Sequence, residues 1–438
     1  YEGLFSHYRA FEEEAFDIAG AYWLQEIEAF SNTETATNIG VGEYLQHARN
    51  DLLATVSTFA VKGEHPVFGN SHLKWGIEWR SEYFSDRINE WEMNDSAGYS
   101  LPRNPELELS YSRQADITMR TQHIKGFVAH HNAITTNWGR IRLNYGTRLM
   151  YSDREQNLYL TPRFQLAILP FDLPDTRFRV SGGWYYQPPF YKEYRPPQNG
   201  QFKQAGTQKS RQILAGVDHY FRMFDRPFKF STEAYYKHFT DLIPYKIDNV
   251  RIIYSGDNEA KGFATGVDFK LHGEFVPGTE SWATLSLLRT MENLKNDTWE
   301  KPGEPGYIPR PTDQRLNFSL FFQDYLPNNP TFKVNLSLFY GTGLPFGPPR
   351  SPRYMATYRM PPYRRVDIGF SKDLLPWLNR QTQKNFFDDI WLGLEVFNLF
   401  DINNTISYYW VSDVENRQYA VPNYLTGRRV NVSLNVEF

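Results

Sequence analysis

The chain closes on RRVNVSLNVEF, in which Val430, Val432, Leu434, Val436 and Phe438 are apolar while Arg429, Asn431, Ser433, Asn435 and Glu437 are polar. A period of two predicts a β-strand whose two faces meet different surroundings. The same alternation recurs upstream. In HLKWGIEWRSE, Leu73, Trp75, Ile77 and Trp79 share one face, opposite Lys74, Glu78, Arg80 and Glu82. In GRIRLNYGTRLMY, Ile141, Leu143, Tyr145 and Leu149 oppose Arg140, Arg142, Asn144 and Arg148. In FKVNLSLFYG, Phe332, Val334, Leu336 and Leu338 oppose Lys333, Asn335 and Ser337. Charged side chains at such positions are costly to bury in a sandwich core, but sit easily against a watery lumen.

About fifteen such strands are predicted, each close to the roughly ten residues of a tilted membrane crossing. They fall near 51–60, 72–85, 115–131, 138–151, 157–170, 176–188, 210–222, 227–239, 260–275, 279–290, 313–324, 332–341, 363–374, 386–400 and 424–438. Compact turns rich in Pro, Asp and Asn (FDLPDT, FRMFDRP, FVPGTE, YLPNNPT) alternate with long polar, aromatic segments at 188–210, 239–260, 290–313, 341–363 and 401–424. Short turns on one side and long loops on the other mark an outer-membrane barrel, whereas a sandwich or propeller has no reason to sort loops by side. The fold class expected is therefore all-β: a transmembrane antiparallel β-barrel. Residues 1–50 read as an extracellular loop segment and 51–438 as the C-terminal portion of the barrel. Fifteen crossings is an odd number, and an intact single-chain barrel has an even one. The parity places the first strands, and whatever precedes them, outside this chain.

Composition fits an amphipathic wall. Aromatic residues make up 17% of the chain, with 29 Tyr and 33 Phe. Mean hydropathy is −0.58 and no apolar run approaches the roughly 18 residues of a spanning helix. The net charge of −3 gives no basic field for nucleic acid. With no cysteine there is no disulfide, thiol chemistry or Cys-ligated zinc. No signal peptide is visible in these residues. There is no Gly-rich phosphate loop, GxSxG elbow or HExxH helix, so no enzyme activity and no cofactor is expected.

Three stretches carry a resemblance: YYKHFTDLIPYKIDNVRIIYSGDNEAKGFATGVDFKLHGEF, EVFNLFDINNTISYYW and the terminal YLTGRRVNVSLNVEF. PTDQRLNFSLFF (311–322) and PYRRVDIGFSKDL (362–374) agree with them. Together, in this order, they resemble the C-terminal barrel of TonB-dependent outer-membrane receptors. The flavour is that of Bacteroidota receptors whose N-termini carry a carboxypeptidase-regulatory-like domain and a plug. The resemblance implies a 22-strand barrel around a plug and energised uptake of a bulky nutrient: a siderophore, glycan, peptide or vitamin. It also implies partners: TonB, acting through segments absent here, the receptor's own plug or first strands, outer-membrane lipid and a surface lipoprotein or larger complex. A different class of function, a structural or scaffolding barrel subunit without transport, uses the same wall. A passive porin is a third.

The resemblance makes Phe438 the aromatic read by the insertion machinery. It makes Arg140, Arg142, Arg148, Asp268, Lys270, Arg365 and Asp367 lumen-facing contacts to the plug. From the residues themselves, GGWYYQPPFYKEYRPPQNGQF offers Tyr185, Phe190, Tyr191 and Tyr194 as substrate-stacking aromatics at an outer rim, stiffened by Pro pairs at 188–189 and 196–197. Trp184 and Tyr186 are expected in an interfacial girdle instead. Asp257 and Glu259 beside Asn258 read as a solvated turn rather than a calcium loop, and Glu12, Glu13, Glu14 and Asp17 as a charged loop face. His130 and His131 are neighbours on a strand and point to opposite faces, so they cannot share one metal ion.

Overall fold

The computed structural model describes residues 1–27, 36–67, 69, 71–94, 108–195, 205–248, 251–295, 306–326, 329–347, 353–376, 387–412 and 418–437. Sixteen long strands follow one another along the chain. The first four are β1 (Glu2–Ile27), β2 (Ala36–Pro66), β3 (Ser71–Asn94) and β4 (Glu108–Thr135). Next come β5 (Gly139–Ser152), β6 (Leu158–Pro170), β7 (Thr176–Gln187), β8 (Gln208–Met223) and β9 (Arg226–Leu242). Then come β10 (Ala260–Val276), β11 (Thr279–Leu294), β12 (Leu316–Leu326) and β13 (Asn329–Gly341). The last are β14 (Tyr363–Asp373), β15 (Asp389–Phe397) and β16 (Arg429–Glu437). Each pairs antiparallel with the strand before it, so the sheet is a continuous meander. Among the described residues β1 pairs only with β2, and β16 only with β15.

Register carries the alternation from strand to strand. Val432 faces Leu394, Leu394 faces Phe370 and Phe370 faces Val334, an unbroken apolar row. One residue along, Asn431, Glu395, Gly369 and Asn335 form the matching polar row on the other side. The apolar side is the exposed one: Leu160 and Ile213 are 55% accessible and Val432 67%. The enclosed side chains include Asp86, Asp218, Glu292 and Asp313, all at 0–1%. This inversion is unfavourable in water, where large contiguous apolar patches are rare, and is what lipid outside and a polar lumen inside require.

All fifteen strands expected from the alternation are present. A sixteenth, β1, lies in the segment read as an external loop, and β2 also begins inside that segment. The count is therefore even, and the parity inference drops out. The Glu12–Glu14 run interrupts the period-two pattern of β1. The strand is held by its pairing with β2 and by Lys62–Glu2 at 2.6 Å, with Asp17 bound to both His47 and Arg49. Loop length follows side, with two exceptions: the connection 374–388 lies on the short-turn side and is long, and the connection 153–157 lies on the long-connection side and is short. On the opposite side the long connections carry two-stranded hairpins of their own, at 245–254, 345–359 and 405–424. The tight turn between β8 and β9 holds Phe224 and Asp225 at φ 56° and 58°. Two consecutive positive φ values match the right-handed twist of the flanking strands.

Candidate functional site

The side chains that gather most closely lie on the long-connection side. After β7 the chain passes Pro188 and Pro189 and makes one helical turn, Tyr191–Tyr194. The turn folds against the polar face of β3. Tyr191 donates its hydroxyl to Asp86 Oδ2 at 2.7 Å, and Arg195 Nε meets the same oxygen at 2.9 Å. The Tyr191 ring stacks on Phe84 at 4.7 Å and 17°. Tyr191 and Tyr194 join Met119, Ala205 and Ile243 in an apolar cluster with Leu52, Phe84 and Tyr254 packed against it. Arg154 caps the Tyr194 ring at 4.4 Å.

Hydrogen bonds fix the rest of this strap. Glu193 accepts from the Phe190 backbone N–H at 3.1 Å and from Gln208 Nε2 at 2.9 Å. Thr207 donates its hydroxyl to Glu155. Asn258 donates to the carbonyls of Gly206 and Asp241. Burial raises the Glu193 carboxyl above the ordinary carboxylate range, against the pull of its two donors. It likewise raises the Tyr191 and Tyr194 hydroxyls, so both remain proton donors at neutral pH.

The four rim aromatics expected from the sequence thus part company. Tyr191 and Tyr194 are each 4% exposed and serve the cluster. Phe190 stays exposed and meets Tyr254 edge-on at 5.4 Å, while Tyr245 lies 5.7 Å beyond. Tyr185 sits apart under the Arg163 guanidinium at 4.1 Å. Exposed Phe190 and half-buried Tyr254 and Tyr245 form the aromatic ledge of the mouth. Trp184 is on the exposed outer face, and Tyr186 meets Tyr159 edge-on at 5.4 Å. The second Pro pair, 196–197, and Phe438 lie outside the described residues.

The seven lumen residues all stand on the polar face, spread across the wall. Arg148 lies over Phe127, and Arg140 and Arg142 follow it at even spacing on β5. Asp268 and Lys270 share the inner face of β10. Arg365 and Asp367 pair at 2.8 Å, and Asp367 also accepts from the Asn398 backbone N–H. His130 bonds Tyr145 and His131 bonds Asn144, on opposite faces of β4. Asn258 is committed to backbone, as a turn residue is.

Sequence reasoning missed the carboxylates that organise the inner face. Asp218 accepts from Arg177 and Arg179, with Lys229 at 3.8 Å. Glu292 lies between Arg310 at 3.2 Å and Arg353 at 2.9 Å. Asp313 holds Arg315 at 2.7 Å and is bonded by Arg359 as well. These last two clusters tie the 295–315 and 342–362 connections to the wall. RFR at 177–179 and DQR at 313–315 are local signals for the Asp218 and Asp313 clusters, but their distant partners lie 39 to 46 residues away along the chain.

No protein-family model and no curated protein matches the sequence. Solved structures do match its shape. The ferric yersiniabactin uptake receptor FyuA of Yersinia pestis superposes with TM-score 0.60 at 12% identity, over 99% of this chain and 62% of that one. The siderophore receptor PiuA of Acinetobacter baumannii gives 0.57 at 12%, over 92% and 60%. The outer-membrane transporter YddB of Escherichia coli gives 0.53 at 11%, over 99% and 61%. The chain spans less than two thirds of the length of each. At this identity the likeness establishes the fold, an outer-membrane antiparallel β-barrel.

Proposed function

We propose that these residues form the C-terminal part of the barrel of a TonB-dependent receptor in the outer membrane of a Gram-negative bacterium. The receptor takes up a bulky nutrient (a siderophore, glycan, peptide or vitamin) against its gradient. The observation that carries this reading is the inverted wall: an exposed apolar outer face backed by enclosed carboxylates such as Asp86, Asp218, Glu292 and Asp313 on the inner face. A water-filled porin would leave those inner charges solvated. Here many are already paired, as Asp218 and Glu292 are, and the mouth is crossed by a packed strap. The fold shared with FyuA and PiuA supports uptake over scaffolding.

In this reading the strands that close the sheet between β1 and β16, together with the plug and the segment that TonB pulls, come from residues other than these 438. Arg140, Arg142, Arg148, Asp268, Lys270, Arg365 and Asp367 face that plug. Substrate meets the ledge of Phe190, Tyr254 and Tyr245 first, whose rigid rings suit stacking on a planar or cyclic ligand. Tyr185, Tyr191 and Tyr194 become accessible to it only if the strap lifts. Phe438 serves the insertion machinery.

The test is accumulation of labelled ferric chelates, oligosaccharides, oligopeptides and cobalamin by cells with and without the gene. Loss of one uptake on deletion, and equal loss when the proton gradient is collapsed, supports the reading. Unchanged accumulation of every class, with the protein abundant in the outer membrane, replaces it with a scaffolding barrel.

A further inference from the structure

A shallow groove of about 630 Å³ opens on the wall of β8–β11. Its lining holds two complete cross-strand rows of the apolar, outward face, together with the intervening row Leu214–Tyr235–Gly266–Leu288, whose side chains alternate to the other face. One is Ala215–Ala234–Val267–Leu287, and the next is Ile213–Tyr236–Thr265–Arg289. Small side chains at Ala215, Ala234 and Thr265 make the hollow, and Ile213, Tyr236 and Leu287 flank it. Arg315 borders the groove where the chain enters β12. One row further from the short turns, the same face carries Arg211 and His238 beside Phe263.

Charge complementarity says what fits. No carboxylate stands on any of these three rows. Among the described residues, the side chains of Arg211, His238 and Arg289 have no hydrogen-bond or ion-pair partner. Arg289 is ten positions above Thr279, where β11 leaves its short turn. That is the height at which a crossing of about ten residues reaches the interface. Arginine is costly on the lipid face at mid-bilayer and nearly free of cost at the interface, so Arg211 and Arg289 stand at headgroup level. Three strand spacings and one two-residue step along the strands, about 16 Å in all, separate their backbones, a gap two arginine side chains can span toward one anion.

We infer that this groove is a binding site for a phosphorylated lipid of the outer leaflet, with an acyl chain in the Ala215–Ala234–Thr265 hollow and its phosphate between Arg211 and Arg289. Guanidinium pairs bidentately with phosphate, and most strongly with a monoester whose charge no choline ammonium offsets. The inference rests on the membrane reading above.

The test is native mass spectrometry of the full-length protein in neutral detergent, titrated separately with dipalmitoylphosphatidic acid, dipalmitoylphosphatidylcholine and inorganic phosphate. The expected result is one saturable phosphatidic acid adduct, weakened at least tenfold in R211Q/R289Q and in Ala234→Trp, which fills the hollow. Phosphatidylcholine should bind at least tenfold more weakly than phosphatidic acid. Undiminished binding by R211Q/R289Q overturns the proposal. So does competition by inorganic phosphate that Ala234→Trp leaves unchanged, since that describes an anion site without a lipid. Fractionation separates the two readings: protein in the outer membrane without an arginine-dependent adduct sinks the lipid site alone, and protein absent from that membrane sinks the membrane reading.

Discussion

Tyr191 reaches back 105 positions along the chain to donate its hydroxyl to Asp86, and that bond closes the strap over the inner face. Because Asp86 is enclosed and its carboxylate also takes Arg195, removing either donor leaves a buried charge short of partners. Such a loss costs about 1–3 kcal/mol. Tyr191→Phe should therefore raise local opening of residues 188–195 by roughly ten- to a hundredfold, the equivalent of that energy. Amide hydrogen exchange reads it directly. Exchange that stays at the wild-type rate would show that the apolar cluster alone holds the strap.

Glu193 gives the strap a pH dependence. Burial raises its pKa, so the folded strap binds a proton more readily than the unfolded segment does. The stability this contributes is fully present below the ordinary glutamate value and is lost as pH rises through the raised one. Protection of 188–195 should fall across that window, and Glu193→Gln should flatten the profile. A profile as steep in the variant would assign the effect to another group.

Phe164 and Gln165 are adjacent on β6 and face opposite ways. Phe164 is 45% exposed on the outer face, and Gln165 accepts a hydrogen bond from Asn144 on the inner one. Phe164→Arg should lower the folded, membrane-inserted fraction by the equivalent of about 2–4 kcal/mol, and Gln165→Arg far less. Heat-modifiable mobility on gels measures both. Equal effects would mean that the two faces do not meet different solvents.

The β8–β9 turn carries a correctable strain. Phe224 is a bulky residue at φ 56° and is 71% exposed, so nothing in its packing rewards the conformation. Phe224→Asn should stabilise the hairpin by about 1 kcal/mol, because asparagine tolerates left-handed backbone. Thermal unfolding of the two proteins in the same detergent checks the sign.

Phe438 tests the insertion role directly. Phe438→Ala should reduce the amount of assembled barrel several-fold while leaving total synthesis unchanged, as read by fractionation. Equal assembly would remove the insertion role from Phe438.

Alternation revealed all fifteen strands with mixed polarity, since lipid on one side and polar matter on the other write a period of two into any strand between them. It failed on β1, where Glu12, Glu13 and Glu14 follow one another and partner strand, not sequence, sets the conformation. The mouth was legible only as composition. That Tyr191 and Tyr194 turn in while Phe190 stays out depends on Phe84, Met119 and Asp86, which no local pattern links to residue 190. The Glu292 and Asp313 clusters were hidden for the same reason. A lone buried carboxylate and its arginines are ordinary polar residues until the connections bring them together.

β1 to β4 run for 24 to 31 residues, where β5 to β16 have 9 to 17. At about 3.3 Å per residue, the excess amounts to several tens of ångströms of wall on the long-connection side only. Under the uptake reading proposed above, a bulky solute drifting in along the cell surface from that flank would strike a palisade before it could reach the aromatic ledge. Arrival from the opposite flank is unobstructed. The capture cross-section is thus lopsided about the pore axis, and crowding by neighbouring proteins would matter on one flank far more than on the other.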